Sequence, residues 1–326
     1  MRPATVLATA IAGAALVVGV TAPAARADEG PGTLAVTSGL VSEQPGVVRI
    51  TGAAPGSVVT FTAPGVTLTA GADASGAADF SVSAWMPFTA SVTDGTATLE
   101  AVVPVTPLFS DVRVEPMPEG VIPDGPALGD GPNPAILPIS PEREAAMTGL
   151  SWRKGCVPFA LLREVQVNYI GPDGYRYRGV LITRANAADR VVETFSRLYE
   201  IQYRIWSMHP VDVYGPSPVG TGADDYASMA SGNTSMFNCR YIVGREHQRR
   251  TSPHAGGRAL DLNPWENPYL SRRGPLPNST YLPGPSRPLS PLVLTPNSPA
   301  VLLLKSLGWS WLAPRDFQHF DLVRRP

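Results

Sequence analysis

Two short stretches hold the residue types that can do chemistry. The first is Thr251-Ser252-Pro253-His254-Ala255-Gly256-Gly257-Arg258-Ala259-Leu260-Asp261, and the second, near the C-terminus, is Asp316-Phe317-Gln318-His319. Histidine is scarce: the chain has four, and two of them fall here. A histidine before a glycine turn and an aspartate in the strand after it can converge on one cation. His319, three residues after Asp316, is the strongest candidate for a third ligand. Imidazole nitrogen mixed with carboxylate oxygen suits Zn2+, and a catalytic zinc site needs only three protein ligands because water fills the fourth position. Asp316 then has a separate task, because a water attacking a carbonyl needs a base to take its proton and pass it to the leaving amine. Ser252 and Gln318 can orient the ligands from behind. A zinc-dependent hydrolase is the leading reading, although spacing alone leaves open two unrelated His/Asp pairs.

The elements that must position these residues lie in residues 150 to 326, where helix and strand patterns mix. Val165 to Tyr169, Arg178 to Ile182 and Ala259 to Leu262 read as strands. Apolar residues Val191, Val192, Phe195, Leu198 and Tyr199 recur at helical spacing, with Asn186 as the expected cap. Ser298 and Pro299 open a second helix that Gly308 stops. An α+β domain follows.

Residues 34 to 103 differ. Short β-branched runs between glycine, alanine and proline turns predict a small antiparallel β-sandwich, an immunoglobulin-like module. Between the two, residues 104 to 149 carry ten prolines and no sustained apolar periodicity. That composition reads as a semi-rigid linker, with Asp111 to Glu115 able to pack as an edge strand on a neighbour.

Residues 1 to 27 read as a secretory signal peptide: Arg2, an apolar run from Val6 to Val20, then Ala25-Arg26-Ala27 as a small-x-small cleavage site. The run is shorter than the roughly 20 residues a membrane-spanning helix needs, so no stable membrane insertion is expected after cleavage. Cys156 and Cys239 are the only cysteines, and an oxidising compartment favours a disulfide between them over zinc ligation. The net charge of -1 hides a division. Residues 28 to 150 carry 14 acidic and 3 basic side chains, residues 151 to 326 carry 13 and 21, so the second part is drawn to polyanions. For an exported protein those are anionic wall polymers, while the absence of any recognition motif argues against nucleic acid.

The motif residues resemble the zinc D-alanyl-D-alanine carboxypeptidase and endopeptidase family that cleaves peptidoglycan stem peptides. Its signature, Ser-x-His-x-x-Gly-x-Ala-x-Asp followed by an acidic residue-x-x-His, is met by Ser252, His254, Gly257, Ala259, Asp261, Asp316 and His319. The likeness extends to Asp212-Val213-Tyr214-Gly215, to Asn233 through Arg240 and to Asn263-Pro264, covering about 150 to 322. It implies a hedgehog/DD-peptidase-like α+β fold, with zinc on His254, Asp261 and His319. It further implies Asp316 as base and Arg240 at the scissile carbonyl oxygen or a substrate carboxylate. Many relatives have glutamate where this chain has Asp316, and an aromatic where it has Thr251. The resemblance leaves open a carboxypeptidase, an endopeptidase or a non-catalytic wall-binding protein of the same fold, secreted or wall-associated.

Overall fold

A computed structural model describes residues 5–6, 17–21, 33–112 and 114–323. The expected cleavage site, Ala25-Arg26-Ala27, lies outside the described residues. The chain divides into two units, residues 1–111 and 112–326. Among the described residues no helix is long and apolar enough to cross a membrane.

The first unit is all β. One sheet runs Thr5–Val6, Val17–Thr21, Ala78–Ser83, Pro45–Thr51 and Ala35–Ser38, and a second runs Thr98–Val103, Phe88–Thr93, Val58–Ala63 and Val66–Gly71. Alternation in Pro45–Thr51 and Val58–Ala63 sends Val48, Ile50, Val59 and Phe61 inward, all fully buried. Phe61 of one sheet stacks on Phe80 of the other at 5.3 Å between ring centroids, so the two sheets share one core. Leu40–Val41 and Val105–Thr106 close the unit as a short parallel pair.

The second unit is built around an antiparallel sheet ordered Gly125–Pro126, Arg176–Arg184, Leu162–Ile170 and Ala135–Pro138. The helix Ala188–Glu200 buries Val191, Phe195 and Leu198, the stripe expected from their spacing. Asn186 does not cap it. A turn of 3-10 helix, Ala185–Ala187, precedes the helix, and the Asn186 side chain instead accepts from Arg258 Nη1 at 2.8 Å. A second sheet, ordered Ala259–Asp261, His319–Leu322 and Trp309–Trp311, is tied to this helix by Trp309 Nε1 donating to Thr194 Oγ1 at 2.8 Å. The helix Pro299–Ser306 starts with proline in its first turn and ends before Gly308, whose φ of 88° is a left-handed conformation favouring glycine.

The proline-rich stretch is not a free linker along its length. Residues 105–106 pair within the first unit, and from Val112 onward the chain belongs to the second. Gly125–Pro126 and Ala135–Pro138 form edge strands there, and Pro141–Met147 is a helix capped by Ser140. Proline removes N–H donors but leaves carbonyl oxygens, and these do the anchoring. Tyr281 Oη donates to Glu115 O at 3.0 Å, Trp265 Nε1 to Pro116 O at 2.8 Å, and Asn168 Nδ2 to Leu128 O at 2.7 Å.

Candidate metal centre

Ser252 opens the site. Its hydroxyl accepts the His254 N–H at 3.3 Å, capping the turn Pro253–Gly256, and its own N–H donates to Arg240 O at 3.0 Å. Gly257 ends the turn at φ 66°, where a Cβ would stand 2.8 Å from the Arg184 nitrogen. Its carbonyl accepts from Arg184 N and Thr183 Oγ1, which fastens the turn to the central sheet. The chain then enters Ala259–Asp261, and the antiparallel ladder sets Asp261 directly opposite His319. Cross-strand partners present their side chains to the same face, so one ladder delivers two of the three residues and the capped turn delivers His254.

The three converge. His319 Nδ1 lies 2.9 Å from Asp261 Oδ1, His254 Nε2 lies 3.1 Å from Asp261 Oδ2, and the two ring nitrogens are 3.1 Å apart. All three residues are buried. The outward nitrogens are committed elsewhere: His254 Nδ1 is 2.5 Å from the Met236 carbonyl oxygen, and His319 Nε2 is 3.2 Å from Asp321 Oδ1. Since a carbonyl and a carboxylate can only accept, each outward nitrogen is a donor. The inward nitrogens and the Asp261 carboxylate therefore direct electron pairs at one point, which is stable only with a cation among them, a proton or a metal ion. The titration behaviour agrees. Burial works against a charged His319, but hydrogen bonds to Asp261 and Asp321 outweigh it and push the imidazole up to about 10. Burial likewise opposes the charged form of Asp261, yet His254 and His319 hold that carboxyl far below the usual range. The donor set fits a divalent ion.

Asp316 lines the same cavity, of about 190 Å³, without belonging to the triad. It is buried, and its Oδ1 has no hydrogen-bond partner among the described residues. Burial, joined by the charge of Asp261, pushes its carboxyl up to about 7. Arg240 forms part of the wall, with Nη2 held 2.6 Å from Asp225 Oδ2. Gln318 also lines the cavity, but the partner of its Nε2 is Met229 Sδ at 3.2 Å. Cys156 and Cys239 form a disulfide one residue from Arg240.

Residues 245–322 match the family model described as D-alanyl-D-alanine carboxypeptidase. The match covers the segment that carries the site. No curated protein and no solved structure matches the chain. The matched segment contains Ser252, His254, Asp261, Asp316, Gln318 and His319, whereas Arg240 and both cysteines precede it. Of the other blocks of the resemblance, Arg240 alone lines the cavity, and the rest supply buried hydrogen-bonding residues: Asp212 accepts from Ser151 N, Asn233 from His209 N, and Asn263 donates to Arg204 O.

Four groups that serve the site escape a reading of its motifs: Met236, Asp321, Asp225 and Tyr269. Asp321 had a signal, because it stands two residues after His319 and so shares its face of a strand. Met236 acts through its backbone oxygen, which no side-chain pattern reveals. Asp225 comes from the short helix Asp225–Ala230, and Tyr269 is bridged to Asp316 across 47 residues of chain.

Proposed function

We propose that the second unit is a zinc-dependent peptidase that hydrolyses peptide bonds in peptidoglycan stem peptides, as a D-Ala-D-Ala carboxypeptidase does. The observation that carries this reading is the convergence of His254 Nε2, Asp261 and His319 Nδ1 in a cavity that also holds a separate unpartnered carboxyl, Asp316.

His254, Asp261 and His319 would hold the ion. When bound, zinc supplies Lewis acidity toward a carbonyl oxygen and makes water in its open position more acidic. Asp316 accepts the proton of the attacking water and delivers it to the leaving amine, a task suited to a carboxyl whose affinity for protons lies near neutrality. Arg240, steadied by Asp225 and with Nε free of any acceptor, offers a donor to the carbonyl oxygen as charge develops, or to a substrate carboxylate. Met236 and Asp321 fix the ring orientations.

Residues 1 to 27 direct export in this reading, and the first unit is an immunoglobulin-like module outside the chemistry. The positively charged second part is held by anionic wall polymers, so its retention on purified walls falls as salt rises. Digestion of defined muropeptides followed by weighing of the products tests the activity. Release of the terminal alanine supports the carboxypeptidase, internal cleavage the endopeptidase, and retention on walls without any cleavage a binder of the same fold.

A further inference from the structure

The cavity that holds the triad is ringed by arginine. Arg240 is joined there by Arg245, Arg250 and Arg315. Only Arg240 has an acidic partner, Asp225, while the guanidinium groups of the other three meet no carboxylate among the described residues. The Nε atoms of both Arg240 and Arg245 are buried without an acceptor.

Apart from Asp316, to which the chemistry is assigned, and Oε2 of Glu246, the nearby acidic oxygens are engaged. Asp261 lies between two imidazoles, and Asp225 lies on Arg240. Glu246, beside Arg245 in sequence, accepts from Tyr226 Oη at 2.7 Å and from Gly244 N at 2.8 Å. The loop that carries Arg245 and Arg250 is closed by a bridge between Tyr241 and Thr251 and by Ile242 N donating to Arg250 O at 2.9 Å. Arg315 is held by its carbonyl, which accepts from Leu270 N at 2.9 Å. Three uncompensated guanidinium groups carried on held backbone around one concavity create a positive field that is strengthened by its low-dielectric walls. A guanidinium fork matches a carboxylate, and a buried donor with no acceptor carries a cost that a bound carboxylate removes.

We infer that the substrate of this site is an acidic peptide: beyond any carboxylate met by Arg240, it carries a side-chain carboxylate that Arg245 engages, with Arg250 and Arg315 contributing at the rim. This rests on the peptidase reading for the place of the peptide, and it adds the charge class that the site selects. Arg245 is then a specificity residue and takes no part in the proton transfers of Asp316.

The test uses two acetylated peptides ending in D-Ala-D-Ala, in which the two preceding residues are both glutamate or both glutamine. Binding is measured by calorimetry to the full chain in its Asp316→Asn form, so that the peptides are not consumed. The glutamate peptide should bind on the order of tenfold tighter or better, the effect expected of one charge-assisted hydrogen-bonded pair. Arg245→Gln should remove most of that preference and Arg245→Lys restore part of it. Arg250 and Arg315 are exposed, so Arg250→Gln and Arg315→Gln keep the test open should Arg245→Gln fail to fold, and each should weaken the preference. Equal binding of the two peptides, binding of neither, or a preference untouched by all these variants overturns the inference. Turnover of the same peptides by the unmutated, zinc-loaded chain separates the two readings. A binding preference without cleavage contradicts the peptidase and leaves the acidic-peptide site standing, whereas cleavage of both with the same KM does the reverse.

Discussion

The second unit buries two clusters of histidine and aspartate, and they are opposites in how their atoms are satisfied. In one, Asp124 accepts from Tyr169 Oη at 2.6 Å and Met208 N at 2.8 Å and faces His209 Nδ1 at 3.1 Å, while His209 Nε2 meets the Ile122 carbonyl oxygen at 2.9 Å. Every polar atom has an outward or mutual partner, and the cluster pins the segment around Ile122 to the central sheet. In the other, the outward nitrogens of His254 and His319 are taken by Met236 and Asp321, and the inward ones face each other and a carboxylate. Residue types are the same in both, and burial differs only in that His209 is partly exposed. What separates a structural pair from a binding site is the direction of the unshared electron pairs and the presence of a cavity that a ligand can enter.

The largest expected effect breaks the site without dissolving it. Asp316→Asn should keep the metal and lose about 10²- to 10⁴-fold in turnover, because an amide cannot accept the water's proton. Metal content and peptidase rate measured together decide it: loss of both would make Asp316 a ligand, and full activity would remove it from the mechanism. Asp124→Asn tests the contrasting cluster. It should cost roughly 1–3 kcal/mol of stability in denaturant titrations through a disrupted buried network, with metal content unchanged. A changed metal content would show that the two clusters are not independent. Asp321→Asn should weaken metal affinity by about 10- to 100-fold, the usual effect of disturbing a group behind a ligand, as read by competition with a chelator. An unaltered affinity would remove Asp321 from the support of His319.

A final effect, on stability alone, concerns Glu266, a buried carboxyl between the two extremes, with Oε1 accepting from Trp206 Nε1 at 2.7 Å and Oε2 unpartnered. Burial pushes it up to about 8 from an ordinary 4.5. A group raised on folding contributes stability that is present below its unfolded value and is lost as pH rises through its folded one. Between about pH 4.5 and 8 the chain should lose stability from this group, and Glu266→Gln should flatten that slope in denaturant titrations at several pH values. An unchanged slope would mean that Glu266 ionises freely in the folded chain.

Much of the site was legible because its residues sit in short motifs whose geometry is local. The Ser252 cap, the Gly257 turn and the strand to Asp261 are set by neighbours in sequence, and the pairing of Asp261 with His319 follows once both are strands. The supports were less legible, since Met236 acts through its backbone and Asp225 arrives from a distant helix. In the first unit, strands with alternating burial such as Val58–Ala63 were readable, but Ala78–Ser83 was not, because it is buried on nearly every residue and shows no period. The proline-rich stretch misleads for a related reason. Its composition forbids long ladders, yet side chains from remote positions such as Tyr281 and Trp265 fasten its carbonyls to the second unit.

In the proposed function His254, Asp261 and His319 form one metal site. Elemental analysis of the full chain freed of any affinity tag, repeated on His254→Ala, tests it most directly. About one zinc ion per molecule is expected in the unmutated protein, with loss of that zinc in the variant. Equal metal content in the two proteins would contradict it.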